Sequence, residues 1–114
     1  MYSETIEVNG VRYVRENLSP DKCVIVRSRD AGVFVGYLED RNGDSVRLSN
    51  ARRIWRWAGA ATLSELSQKG TSEPASCKFP ASVPSVEVLG VCEIIGVSEA
   101  ARVSIDSVPD WSEQ

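Results

Sequence analysis

The chain has 114 residues, 13 basic and 16 acidic side chains, no histidine, and a formal charge of −3 at pH 7. That length predicts one domain with one substantial core, and 42% hydrophobic with 25% charged residues is ordinary globular composition, which excludes wholesale disorder. The missing histidine removes Ser-His-Asp triads, Cys-His dyads, His-ligated metal centres and imidazole bases from any monomer or homo-oligomer of this chain.

The first 19 residues read as a β-hairpin extension. Extended runs over 5–8 and 11–15 flank Asn9-Gly10, and a two-residue type I′ turn needs the positive φ that Asn-Gly tolerates. Turn-forming residues at Asn17-Leu18-Ser19-Pro20-Asp21 separate the extension from a single α+β ligand-binding domain over 20–114. Residues 23–29, 33–39 and 45–49 predict three strands, the first two joined by the tight turn Asp30-Ala31-Gly32 and the next two by Asn42-Gly43. Residues 51–57 predict a further strand from their aromatic content, with a helix as the alternative.

Thr62-Leu63-Ser64-Glu65 is a capping-box pattern, so a short helix starts there and stops at Gly70. Residues 71–84, with Pro74, Pro80 and Pro84, are loop. The apolar run 86–97 predicts one long central strand, bent near Gly90 or Gly96. Ser98 caps a second helix carrying Ala101, Ile105 and Val108, ended by Pro109; Trp111 then packs back or meets a partner. The fold class is therefore α+β: a mainly antiparallel sheet of five to seven strands with two short α-helices.

Cys23, Cys77 and Cys92 are widely spaced and form no C-x-x-C pair. With no leading signal peptide, the odd count predicts a reduced intracellular protein whose cysteines act as small buried hydrophobes. No run approaches the roughly 20 apolar residues that cross a bilayer, so no membrane association is expected. No D-x-D-x-D spacing, phosphate-binding glycine loop or nucleophile elbow is present, so no metal, cofactor or catalysis is expected.

Charge is unevenly spread. Residues 1–60 carry ten basic and eight acidic side chains, and residues 61–114 three and eight. Arginine dominates the basic set, and guanidinium forks onto phosphate and stacks on rings where ammonium does neither. An acidic total argues against a nucleic-acid polymer, while a local arginine cluster suits a compact anion. The run Arg52-Arg53-Ile54-Trp55-Arg56-Trp57 offers no clean apolar face in either strand parity. Such conflicts concentrate at functional sites. The run reads as arginine forks for phosphates beside an aromatic wall for a base, or as tryptophans in the core with arginines on a solvated edge.

Arg27 and Arg29 share a strand face, as phosphate partners or as a solvated face paired with Glu39 or Asp44. Phe79, in the long loop, is a base-stacking candidate or an anchor that pins the loop. Arg102 is the one arginine of the acidic half, an anion contact or an inert helix-surface residue.

The strings Val24-Ile25-Val26-Arg27-Ser28, Asp30-Ala31-Gly32-Val33-Phe34-Val35-Gly36-Tyr37-Leu38 and the run from Asn50 to Leu66, with Gly70, Cys77-Lys78-Phe79-Pro80 and Glu93-Ile94-Ile95, resemble a small protein of tailed bacteriophages, the anti-Thoeris sponge family of the first type. The resemblance spans about residues 22–112. It implies a protein of the infected host's cytoplasm that sequesters cyclic nucleotide messengers such as glycocyclic ADP-ribose, and in some members cyclic oligonucleotides, without cleaving them, in homodimers or hexamers with pockets between subunits. It implies arginines on the pyrophosphate and an aromatic ring on the adenine, roles open to Arg27, Arg52, Arg53, Arg56 and Arg102 and to Phe79 or Trp55. The alternative is a phage accessory protein that inhibits a host enzyme by direct contact through Trp55, Trp57 and Trp111.

Overall fold

The computed structural model describes residues 20–112, so the N-terminal hairpin expected over 1–19 lies outside the described residues. A 3₁₀ turn, Pro20–Lys22, leads into β1 (Cys23–Ser28), β2 (Gly32–Asn42) and β3 (Ser45–Arg53). There follow α1 (Leu63–Lys69), a second 3₁₀ turn at Pro74–Ser76, β4 (Val83–Val88), β5 (Val91–Gly96) and α2 (Glu99–Asp106). All pairings are antiparallel, in the order β4-β3-β2-β1-β5. The α+β class, the antiparallel sheet and both helices are as expected.

The run 86–97 is not one central strand. It divides at Leu89-Gly90 into β4 and β5, which occupy opposite edges of the sheet. Two residues cannot span a flat five-stranded sheet whose neighbouring strands lie about 4.8 Å apart. The sheet therefore curls until its edges meet at that corner, where the Val91 N–H donates to Asp44 O and the Ser28 hydroxyl to Leu89 O. The sheet is a partly closed barrel.

Curling gives the sheet two apolar faces. Val24, Val26, Phe34, Val46, Leu48, Ala51 and Val88 fill the concave side. Cys23, Ile25, Val35 and Tyr37 point the other way, onto Leu66, Phe79, Ile105 and Val108 from the helices and the long loop. Strands buried on both faces lose the apolar-polar alternation, which explains the continuous Cys23-Val24-Ile25-Val26 run. Gly36 sits on the concave side where a Cβ would lie 3.1 Å from the Ala51 backbone, so the lack of a side chain lets β2 and β3 approach.

Both helices start as their sequences dictate. The Thr62 hydroxyl accepts from the Glu65 N–H, and the Glu65 carboxylate accepts from the Ala61 N–H. Ser98 accepts from the Ala101 N–H while its own hydroxyl donates to Gln68 O, so the cap of α2 also ties α2 to α1. Gly70 ends α1 at φ 76°, ψ −157°, a region essentially closed to other residues. Its bare Cα faces Ser104 of α2.

Candidate ligand-binding site

The Arg52-to-Trp57 run leaves β3 and breaks regular pairing after Arg53; the Trp55 N–H donates to Lys78 O, and Arg56 forms an isolated bridge with Lys78. Alternation holds through Trp55. Arg52 and Ile54 turn inward, while Arg53 and Trp55 turn outward, and Trp57 packs back against the core. Adjacent arginines thus have opposite fates.

Arg52 is a structural clamp. Its side chain is 10% exposed. Nε donates to Pro80 O, Nη1 to Ile105 O, and Nη2 to Phe79 O, Val108 O and Asp110 Oδ1 at 2.7–3.1 Å. The guanidinium caps the carbonyl end of α2, where the helix dipole is negative, and ties it to the long loop and the C-terminal tail. Phe79 is fully buried beneath it, with the Arg52 guanidinium carbon 5.5 Å from the ring centroid. Of the two readings of Phe79, the structure fits the loop anchor; a ring with no exposed face has none to offer a base.

Arg27 does not pair with Glu39 or Asp44. Its Nε meets Glu93 Oε1 at 2.9 Å across the β1–β5 pairing, a bond that raises its pKa. Arg102 forks onto both oxygens of Glu99 (2.7 and 3.0 Å) and reaches Asp106 at 3.4 Å. This fork holds the Glu99 carboxyl below its ordinary range, and the bonds to Glu99 and Tyr37 raise the Arg102 pKa.

The others lie on the β1–β2 turn and on the stretch from Arg53 to Arg56, which one hydrogen bond ties together. Arg53 Nη1 donates to Ala31 O at 2.6 Å in the β1–β2 turn that also carries Arg29, and its guanidinium lies 4.3 Å from the Phe34 ring centroid. Among the described residues Arg29, Arg53 and Arg56 have no carboxylate partner. Trp55, between Arg53 and Arg56 in sequence, is 64% exposed. No described carboxylate competes with an incoming anion at these three arginines, and stacking on Phe34 holds Arg53 in place.

A separate cavity of about 240 Å³ opens between β2, β3 and α2, lined among others by Tyr37, Asn50, Arg52, Arg102, Asp106 and Asp110. It brings together two predicted residues, Arg52 and Arg102, with four that sequence reasoning missed. Asn50 carried the one faint signal, since asparagine is among the few residues that tolerate its left-handed φ of 47°. Cys23 also lines the cavity; burial pushes its thiol up to about 11, and burial raises Tyr37 as well.

Among the described residues no group of three or more His, Cys, Asp or Glu is placed to hold a metal ion, and no helix is long and apolar enough to cross a membrane. No curated protein and no solved structure matches the chain. Residues 21–105 match a family model described as a domain of unknown function, DUF6948, and the match covers the whole sheet and nearly all of α2. The chain belongs to the DUF6948 family.

Proposed function

We propose that this protein binds and sequesters a cyclic nucleotide messenger of the cyclic ADP-ribose type without cleaving it, acting as an anti-defence sponge of the phage-infected bacterial cytoplasm. The observation that carries the reading is Arg53 bonded to the β1–β2 turn that carries Arg29, with exposed Trp55 and then Arg56 following it in the chain and, among the described residues, no carboxylate paired with any of the three arginines. Guanidinium forks suit the pyrophosphate and an exposed indole suits the base. An open surface cannot enclose a dinucleotide-sized ligand, so the reading includes a second copy of the chain closing over it. With no histidine the chain has no imidazole for acid–base catalysis, in keeping with holding rather than processing the ligand.

The test is to incubate the purified protein with cyclic ADP-ribose isomers and cyclic oligonucleotides, denature it and recover the ligand. Depletion followed by release of intact ligand is expected, and Arg53→Ala and Trp55→Ala each weaken binding by about tenfold or more, the equivalent of about 1.4 kcal/mol. Hydrolysed ligand would make it an enzyme. Absence of depletion, with Trp55→Ala abolishing association with a host enzyme, would favour the inhibitor reading, to which the same exposed Trp55 also lends itself.

A further inference from the structure

The cavity between the sheet and α2 lies apart from the stretch from Arg53 to Arg56, and its charges follow a different rule. Arg52 and Arg102 line it, and so do Asp106 and Asp110. Their formal charges cancel, and Glu99, which forks onto Arg102 from outside the lining, adds one negative charge nearby. A lone anion would face the carboxylates and a lone cation the guanidiniums, whereas a ligand carrying both signs can meet each.

The spare bonding capacity in the cavity also has both signs. Arg52 Nη1 carries two hydrogens and, among the described residues, donates to one acceptor, Ile105 O, which leaves a donor on a side chain nine-tenths buried. Asp110 uses Oδ1 on Arg52, and Asp106 uses Oδ2 in a long 3.4 Å contact with Arg102; among the described residues neither second oxygen has a partner. Asp106 also sits in the last turn of α2, where the helix dipole disfavours a carboxylate and favours a cation beside it. The volume of about 240 Å³ is below the roughly 300–1,000 Å³ of sites for drug-sized ligands, and Val35 and Ile105 supply apolar wall.

We propose that this cavity is a binding site for a small zwitterion of the α-amino-acid class. The carboxylate meets the unused Arg52 donor, and the ammonium, with three donors, meets the free oxygens of Asp106 and Asp110. This site is independent of the nucleotide reading.

The experiment is calorimetric and thermal-shift titration of the whole protein with L-alanine, L-serine and L-valine. Each is run beside its decarboxylated amine (ethylamine, ethanolamine, isobutylamine) and its deaminated acid (propionate, 3-hydroxypropionate, isovalerate). At least one amino acid gives saturable binding at millimolar concentration, with its amine and acid at least about tenfold weaker. Asp106→Asn, an exposed substitution that removes an unfavourable helix-end charge, retains the fold and weakens that binding by about tenfold or more. Trp55→Ala leaves it unchanged. The proposal is overturned if none of the three binds, if an amine or acid alone binds as well, or if Asp106→Asn has no effect. Failure of the nucleotide reading would instead appear as unchanged messenger levels, with the amino-acid titration intact.

Discussion

The clamp at Arg52 makes the sharpest stability prediction. Arg52→Met keeps much of the stem's length and apolar volume while removing every donor. Five acceptors lose a partner, but not equally. Phe79 O still receives the Trp111 N–H and Ile105 O the Val108 N–H, and the Asp110 side chain, 68% exposed, turns to water. Among the described residues the carbonyls of Pro80 and Val108 have no other donor. At about 1–3 kcal/mol for each orphaned buried polar group, the cost is about 4 kcal/mol, a large fraction of the roughly 5–15 kcal/mol that holds a domain folded. With a urea slope of about 1.5 kcal/mol per molar, the midpoint falls by about 2.7 M. Tryptophan fluorescence during urea titration reads this directly. Arg52→Lys, whose three donors radiate from one point, recovers only part of the loss. Arg27→Met, on an exposed pair, leaves the midpoint in place. A loss below about 1 kcal/mol for Arg52→Met, at unchanged slope, would refute the clamp.

The cysteines separate by burial. A neutral thiol reagent modifies exposed Cys92 in the native protein, while Cys23 and Cys77 react only on unfolding; early labelling of Cys23 would contradict the core described above. The buried Cys23 thiol, raised from an ordinary 9.0 to about 11, holds its proton more tightly folded than unfolded. Its contribution to stability is whole below about pH 9 and is lost as pH climbs through about 11, so the melting temperature falls more steeply across that window in the native protein than in Cys23→Ala. The raised Tyr37 acts in the same direction in both proteins. Gly70→Ala forces a side chain into glycine-only backbone and onto Ser104, costing at least about 2 kcal/mol in urea titration. A neutral outcome would mean that α1 does not end against α2 as described.

Local signals in the sequence determined much of this molecule. The hairpin marked by Asn42-Gly43 forms one residue later, with Gly43-Asp44 as its turn and Gly43 at φ 64°; Thr62 and Ser98 accept the amide hydrogens that capping requires, and Gly70 ends α1. Each rests on a few neighbouring residues whose backbone preferences and short-range hydrogen bonds act before any distant contact forms. Tertiary structure decided the rest. Closure of the sheet divided the 86–97 run between two edges; Gly90 marked the bend, but nothing local says that the two halves pair with different strands. Arg52 and Arg53 are the same residue type side by side, yet one is enclosed by carbonyls from Phe79, Pro80, Ile105 and Val108 and the other faces outward over Phe34. Strand parity puts the two side chains on opposite faces, but which face meets those carbonyls depends on segments 27 to 56 residues further along the chain. The electrostatic environment of a guanidinium belongs to the folded arrangement, and so does the cavity that gathers Tyr37, Asn50, Asp106 and Asp110 from separate elements.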